Sequence, residues 1–231
     1  MLLVLVRHGD SLSEVAPGVF TPDGVLSSLG EQQARLTARR IATLGVTHLL
    51  SSPLVRALAT ATAIAEAVGD LPVEVWTDLR EGYGDMPGHP VPIHRSPGRA
   101  ELLARFPRAH LPDDIADSGW DHGGDNTYEL FFARARRLAA RLSERFGASD
   151  RVVAVGHGGC LNYLLHAFLG IPSSAPVWFD LGHCSLSQVR LVPPMERRHG
   201  WPLYPTVTTE VLSVNDRAHR LASGGSVPWT N

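Results

Sequence analysis

The chain has 231 residues, 44% of them hydrophobic and 19% charged, a composition that folds around a substantial core and excludes an intrinsically disordered chain. Its net charge of −2 offers neither the electrostatic footprint of a nucleic-acid binder nor a polybasic patch for a membrane surface. There is no lysine, so all 21 basic side chains other than histidine are arginines, and a Walker-type phosphate loop is excluded because it needs its lysine.

The two cysteines, Cys160 and Cys184, are too few for a disulfide framework or a four-cysteine metal site, and they read as reduced core residues of a cytoplasmic protein. The apolar start Met1–Val6 has no basic segment before it. It is too short for a signal peptide and runs into Arg7-His8-Gly9 instead of a small-residue cleavage site. No stretch approaches the roughly 20 apolar residues of a membrane helix.

In chain order, Leu2–Val6 predicts a short buried strand. A turn-rich loop with Pro17, Gly18, Pro22 and Gly24 follows. SLGEQQARLTARRIATLG predicts a helix, with Ser28 and Glu31 as a capping box and Gly45 at its exit. THLLSS predicts a second strand. SSPLVRALATATAIAEAVG is a helix with Ser52 as N-cap, Pro53 at its first position and Gly69 as its stop. VEVW predicts a third strand, ending in the turn-rich DLREGYGDMPGHP.

Residues 85–125 are irregular, with one helical patch near RAELLARF, and read as an insert over one end of the sheet. NTYELFFARARRLAARLSERFG is the longest helix, with Asn126 and Glu129 as a capping pair and Asp125 beside them. RVVAVGHGG is a strand and tight turn, and CLNYLLHAFLG the helix after it. SLSQVRLV and TVTTEVLSV are late strands, separated by a solvated loop holding ERRHG. Residues 215–231 read as a polar tail. The alternation predicts a single domain over 1–231: a three-layer α/β sandwich, a mostly parallel sheet with helices on both faces and a helical insert over the site.

In such sheets ligands bind beyond the carboxyl ends of the strands. There the sequence places Arg7 and His8 after the first strand, Arg56 in the first turn after the second, Glu81 after the third and His157 after the fourth. Two arginines beside helix N-termini suit a dianionic phosphate, which guanidinium forks bind bidentately. A neutral imidazole in that field is a nucleophile toward phosphorus. Glu81 could supply the proton for the leaving alkoxide if its surroundings keep it protonated, and the second histidine could hydrogen-bond the equatorial oxygens. The arginines carry the positive charge, so neither a metal nor a cofactor is expected. His89, His94, His110 and His122 lack ligand spacing and read as loop-surface residues. Asp85 is an alternative acid. Trp76, Trp178 and Phe179 read as core or site wall. The strand–turn–helix around His157 has the outline of a nucleophile elbow, but that motif needs serine there.

RHG, SSPLVRALATA, LREG and GHGG, each after its strand and in this order, together with LSSLGEQQA, resemble the histidine phosphatase (phosphoglycerate mutase-like) superfamily, from Leu2 to about Val192. The resemblance implies that His8 is phosphorylated, that Arg7, Arg56 and His157 form the phosphate pocket and that Glu81 is the proton donor. Mutases of that family typically read RHGES-x-W-N. Here RHGDSLSE puts Glu14 where a phosphate-contacting asparagine would lie, and the insert offers scattered Arg95, Arg99, Arg105 and Arg108 instead of a basic cluster. Both departures favour a phosphomonoesterase, acting on a small phosphorylated metabolite or a phosphoprotein, over a mutase. A binding module with poor turnover is the third reading. Substrate and oligomeric state are not legible, and no nucleic-acid or membrane partner is expected.

Overall fold

The computed structural model describes residues 1–12, 14–16, 19–20, 23–82, 96–120, 127–193 and 206–221. Seven strands form one sheet, in the order β6 (Ala109–His110), β5 (Val73–Val75), β4 (His48–Ser51), β7 (Arg151–Gly156), β1 (Leu2–Arg7), β8 (Leu186–Leu191) and β9 (Thr209–Asp216). The pairings from β6 to β1 are parallel and the two involving β8 are antiparallel, which is the mixed, mostly parallel sheet expected. A small hairpin, β2 (Glu14–Ala16) and β3 (Val19–Phe20), follows the first strand.

Successive side chains of a strand point to opposite faces, and β1 shows how each face is filled. Val4 and Val6 join the core under α1 (Ser28–Ala42) and α2 (Val55–Ala67). Leu3 and Leu5 join the core under α4 (Tyr128–Arg145) and α5 (Gly158–Leu169). The central strands are buried on both faces, so they read as continuous apolar runs.

The described part of the 85–125 segment packs into the core. Leu102 of α3 (Arg99–Arg105), with Phe106, Ala109, Ile115 and Trp120, belongs to the core on the α2 face, and β6 extends the sheet. The remainder, including Asp85, His89, His94, Arg95 and His122, lies outside the described residues. The stretch from 215, expected to be a tail, opens with the end of β9 and the short α6 (Ala218–Leu221), where Arg220 is buried. Residues 222–231 are outside the described residues.

Helix starts differ from the sequence reading by one or two positions. Ser27, not Ser28, caps α1, accepting the Gly30 N–H at 3.0 Å. Thr127 caps α4. Helix α2 begins at Val55 with no cap from its own chain neighbourhood; Asp23 Oδ1 accepts the Val55 N–H at 2.6 Å instead. This frees Ser52 for other work.

The loop after β1 is clamped onto the start of α1. The Ser27 N–H donates to the Asp10 carbonyl at 3.0 Å, Asp10 N–H donates to Gln33 Oε1 at 2.9 Å, and the Ser27 hydroxyl bonds the Asp10 carboxylate. The two backbones approach so closely that a methyl on Gly9 would stand 2.6 Å from the Gly30 carbonyl oxygen, and one on Gly30 would overlap the carbonyl of Asp10. Gly30→Ala is therefore expected to force the loops apart and destabilise the protein by about 2–4 kcal/mol, in the range of overpacked core substitutions. Chemical denaturation checks this, and a change below about 0.5 kcal/mol would contradict the clamp.

Candidate active site

The parallel register places the site. Arg7 pairs with Gly156 and Ser51 with Val155, so the next residues, His8, His157 and Ser52, leave the sheet side by side. The His8 N–H still donates to the Gly156 carbonyl and the Ser52 N–H to the Val155 carbonyl, both at 2.9 Å, which carries the strand geometry one step past the named ends. The His8 and His157 rings lie 5.0 Å apart.

His8 is buried and its ring is fixed at both nitrogens. Nδ1 lies 2.7 Å from the Gly9 carbonyl, which can only accept, so Nδ1 carries the proton. Nε2 accepts from Arg56 Nε at 3.1 Å, which fits the unprotonated lone pair. The Gly9 N–H is held by Thr60 Oγ1 at 3.1 Å, and Thr60 in turn donates to the Arg56 carbonyl. Burial first, and then the Arg56 charge, push the His8 pKa well below the ordinary histidine value. His8 is thus a neutral imidazole at neutral pH, with Nε2 as its reactive nitrogen.

His157, at the N-terminus of α5, is wholly buried, and the same two causes push its pKa down. Its Nε2 is 2.8 Å from the Ser52 hydroxyl. That hydroxyl already accepts the Leu54 N–H, so its own proton is available to His157 Nε2, which leaves the imidazole proton on Nδ1. Nδ1 and Arg7 Nε have no hydrogen-bond partner among the described residues. Buried donors of this kind at a strand edge suit an anionic ligand. Arg7 is anchored by donating from Nη1 to the Leu181 carbonyl at 2.6 Å.

Glu81 lies across the start of α5. Its carboxylate accepts the N–H groups of Gly159 (3.1 Å), Cys160 (3.2 Å) and Gly82 (3.1 Å). A methyl on Gly159 would stand 2.7 Å from Glu81 Oε1, so only glycine admits this approach. The two expected histidines, two arginines and one carboxylate therefore meet at one sheet edge. Arg99, Arg105 and Arg108 do not join them. Arg99 donates to the carbonyls of Leu111, Pro112 and Ile115, Arg105 pairs with Glu101, and Arg108 pairs with Asp70 and Glu66. The side chain of Glu14 lies outside the described atoms, as do Asp125 and Asn126. Among the described residues no group of three or more His, Cys, Asp or Glu side chains has metal-binding geometry, and no helix is long and apolar enough to cross a membrane.

The family profile of the histidine phosphatase superfamily (branch 1) matches residues 3–200. The chain belongs to the histidine phosphatase superfamily. It is 31% identical over 224 residues to "Probable phosphoglycerate mutase GpmB" of Yersinia pestis, covering 93% of each chain. Among solved structures it is similar to a mycobacterial glucosyl-3-phosphoglycerate phosphatase complexed with VO3, with TM-score 0.60 and 26% identity over 93% of this chain and 98% of that one. It shares its fold with an Entamoeba histolytica phosphoserine phosphatase, with TM-score 0.61 and 20% identity over 95% and 99% of the two chains.

Sequence reasoning missed three supports of this histidine phosphatase's site. Ser52 reads as a cap and instead holds His157. Arg134, an ordinary helix arginine by sequence, is buried; it donates to the carbonyls of Asp78 and Arg80 and so pins the segment that presents Glu81. The third is His183, in a loop with no local motif. Its ring lies 5.3 Å from that of His8, and its Nδ1 is 3.7 Å from Asp10 Oδ1. Cys184, at φ 52°, turns the chain so that its N–H donates to the Arg7 carbonyl at 2.9 Å, which seats His183 beside the nucleophile candidate. Both cysteines are free and buried, and burial pushes each thiol up to about 12.

Burial first, and then the Arg7 charge, lower the His183 pKa to about 4, against about 6.5 in an unfolded chain. The unfolded state therefore takes up this proton first as pH falls. The associated stability is intact above about pH 6.5 and is lost progressively down to about pH 4. His183→Asn cannot titrate, so the drop in unfolding free energy between pH 7 and pH 5 is expected to shrink by about 2 kcal/mol. Urea unfolding at the two pH values checks this, and an unaltered drop would contradict the assignment.

Proposed function

We propose that the protein is a metal-independent phosphomonoesterase that hydrolyses phosphate esters through a phosphohistidine on His8, with no cofactor. The observation that carries this reading is the tautomer of His8: Nδ1–H is tied to the Gly9 carbonyl, so the Nε2 lone pair faces the guanidinium side of the pocket. Arg7, Arg56 and the Nδ1–H of His157 would hold the phosphoryl oxygens, where charge is carried during transfer. In the first step the ester binds as its monoanion and passes its proton to the Glu81 carboxylate, ionised in the free site where three backbone N–H groups donate to it; His8 Nε2 then bonds to phosphorus, the P–O ester bond breaks and the leaving oxygen takes that proton from Glu81. In the second, water attacks phosphorus, the P–N bond breaks, inorganic phosphate leaves, and the water's proton returns to Glu81. The substrate is a small phosphorylated molecule, a phosphoprotein being the alternative. The two unpaired cysteines fit a reducing, cytoplasmic compartment.

A mutase shares the first half-reaction, and the 31% identical relative named as one favours that second reading. Against it, the arginines described between residues 96 and 120 are engaged on backbone carbonyls and surface carboxylates, so none supplies a cation for the carboxylate of a phosphoglycerate. A module that only binds phosphate needs no acid at the position of Glu81.

Hydrolysis of p-nitrophenyl phosphate in EDTA is expected for the wild type and should fall at least a thousandfold in His8→Ala. Activity that needs added metal or survives the substitution would overturn the route. If the wild type is silent, phosphoglycerate isomerisation separates the mutase from the binding module. Glu81→Gln is expected to slow alkyl phosphates about 100-fold or more while slowing aryl phosphates, whose leaving groups need no proton, less than tenfold. Equal slowing of both would move the acid role elsewhere.

A further inference from the structure

The acid side of the pocket continues outward as an aromatic wall. The Phe131 ring rests against the backbone on both sides of the Glu81 carboxylate: a Cβ on Gly82 would meet it at 2.7 Å and one on Gly159 at 3.1 Å. Beneath that ring lies the Arg134 guanidinium at 4.5 Å. Phe131 meets Tyr163 edge-on at 5.2 Å between centroids, and Tyr163 meets Trp178 edge-on at 5.8 Å. Trp178 stands on the loop that also carries Asp180 and Leu181, the carbonyl anchor of Arg7. It is 60% exposed, and its neighbour Val177 is 44% exposed. An exposed tryptophan joined through Tyr163 to the ring beside Glu81 is an unusual use of apolar surface unless something covers it.

The geometry restricts what that is. A leaving group whose ester oxygen sits at Glu81 begins beside the Phe131 ring, since a Cβ on Gly159 would meet both Glu81 Oε1 and that ring. Beyond that ring lie Tyr163 and Trp178. Among the described residues the charges bordering the outer rings include Glu81, exposed Asp180 on the Trp178 loop, and Glu129, whose field acts on Tyr163, while the Arg134 guanidinium beneath Phe131 is engaged on the Asp78 and Arg80 carbonyls. Arg136 shares the cleft behind Phe132 with Glu129 and His166. A leaving group bearing a carboxylate would be desolvated against rings and repelled by these acids.

Resting on the phosphatase reading, we infer that the substrate's alcohol is uncharged and apolar, an aryl or hydrocarbon-rich group that lies along Phe131, Tyr163 and Trp178. The wall selects this group by burying its apolar area and by offset or edge contacts with its rings.

Non-hydrolysable phosphonates test the wall separately from turnover. Calorimetric binding of 2-naphthylmethylphosphonate and methylphosphonate to the full chain reads the contribution of the leaving-group side alone. The wild type is expected to bind the naphthyl compound at least tenfold more tightly. Trp178→Ala should cut that ratio at least fivefold and Trp178→Phe should restore most of it; Trp178 is exposed, so neither change threatens the core. A wild-type ratio near one, a ratio indifferent to Trp178, or tighter binding of a carboxylate-bearing phosphonate would overturn the inference. Hydrolysis of hexyl phosphate and 3-phosphoglycerate is measured alongside. If neither ester is hydrolysed while the phosphonate ratio holds, the phosphatase reading fails and the wall stands as a binding feature. If both are hydrolysed at equal kcat/KM and the ratio is near one, the phosphatase stands and the wall fails.

Discussion

The site depends on one arrangement: two imidazoles buried beside guanidinium groups at the carboxyl edge of a parallel sheet. Burying a histidine next to an arginine works only if the histidine stays neutral, and the fold enforces this on His8 and His157 by removing water and placing Arg56 against both. A neutral imidazole then needs its single proton directed. The Gly9 carbonyl does this for His8 and the Ser52 hydroxyl for His157. Thr60 holds the Gly9 N–H, and the Leu54 N–H holds the Ser52 hydroxyl.

That support comes from far along the chain. The Gly9 backbone is fixed because α1 and the β1 loop meet through glycines on both sides and because Thr60 of α2 holds its N–H. Ser52 is free to face His157 because Asp23, from a different segment, takes over the start of α2. Glu81 is presented by a segment whose carbonyls are gripped by Arg134 from α4. The phosphoryl-transfer reading and the aromatic wall meet at Glu81, which sits between the cationic pocket and the ring of Phe131. One face of the site is thus built to hold charge and the next to exclude it.

Much of this was legible in the sequence because strand ends are local. Arg7, His8, Arg56, Glu81 and His157 each follow a strand whose apolar run is short and continuous, and a parallel sheet gathers such ends at one edge. Helix existence was equally local, while helix starts were not. Ser28 and Asn126 were expected as caps from spacing alone, whereas Ser27 and Thr127 cap, since capping depends on where the chain leaves its extended conformation. The 96–120 segment looked like an insert because its apolar residues have no clear period. Its core contribution shows only when Leu102, Phe106 and Ile115 are seen under the same sheet face as α2.

The sequence by itself determined the fold class and the sheet edge at which the candidate residues Arg7, His8, Arg56, Glu81 and His157 gather. It did so because periodicity and punctuation act over a few residues. Only the tertiary structure decided which nitrogen of His8 carries the proton, that Ser52 serves His157, that Arg134 positions Glu81, and that His183 and the Phe131–Tyr163–Trp178 wall border the site. Those relations join residues as distant in the chain as His8 and His183, and no local pattern encodes a contact that exists only after both faces of the sheet have been covered.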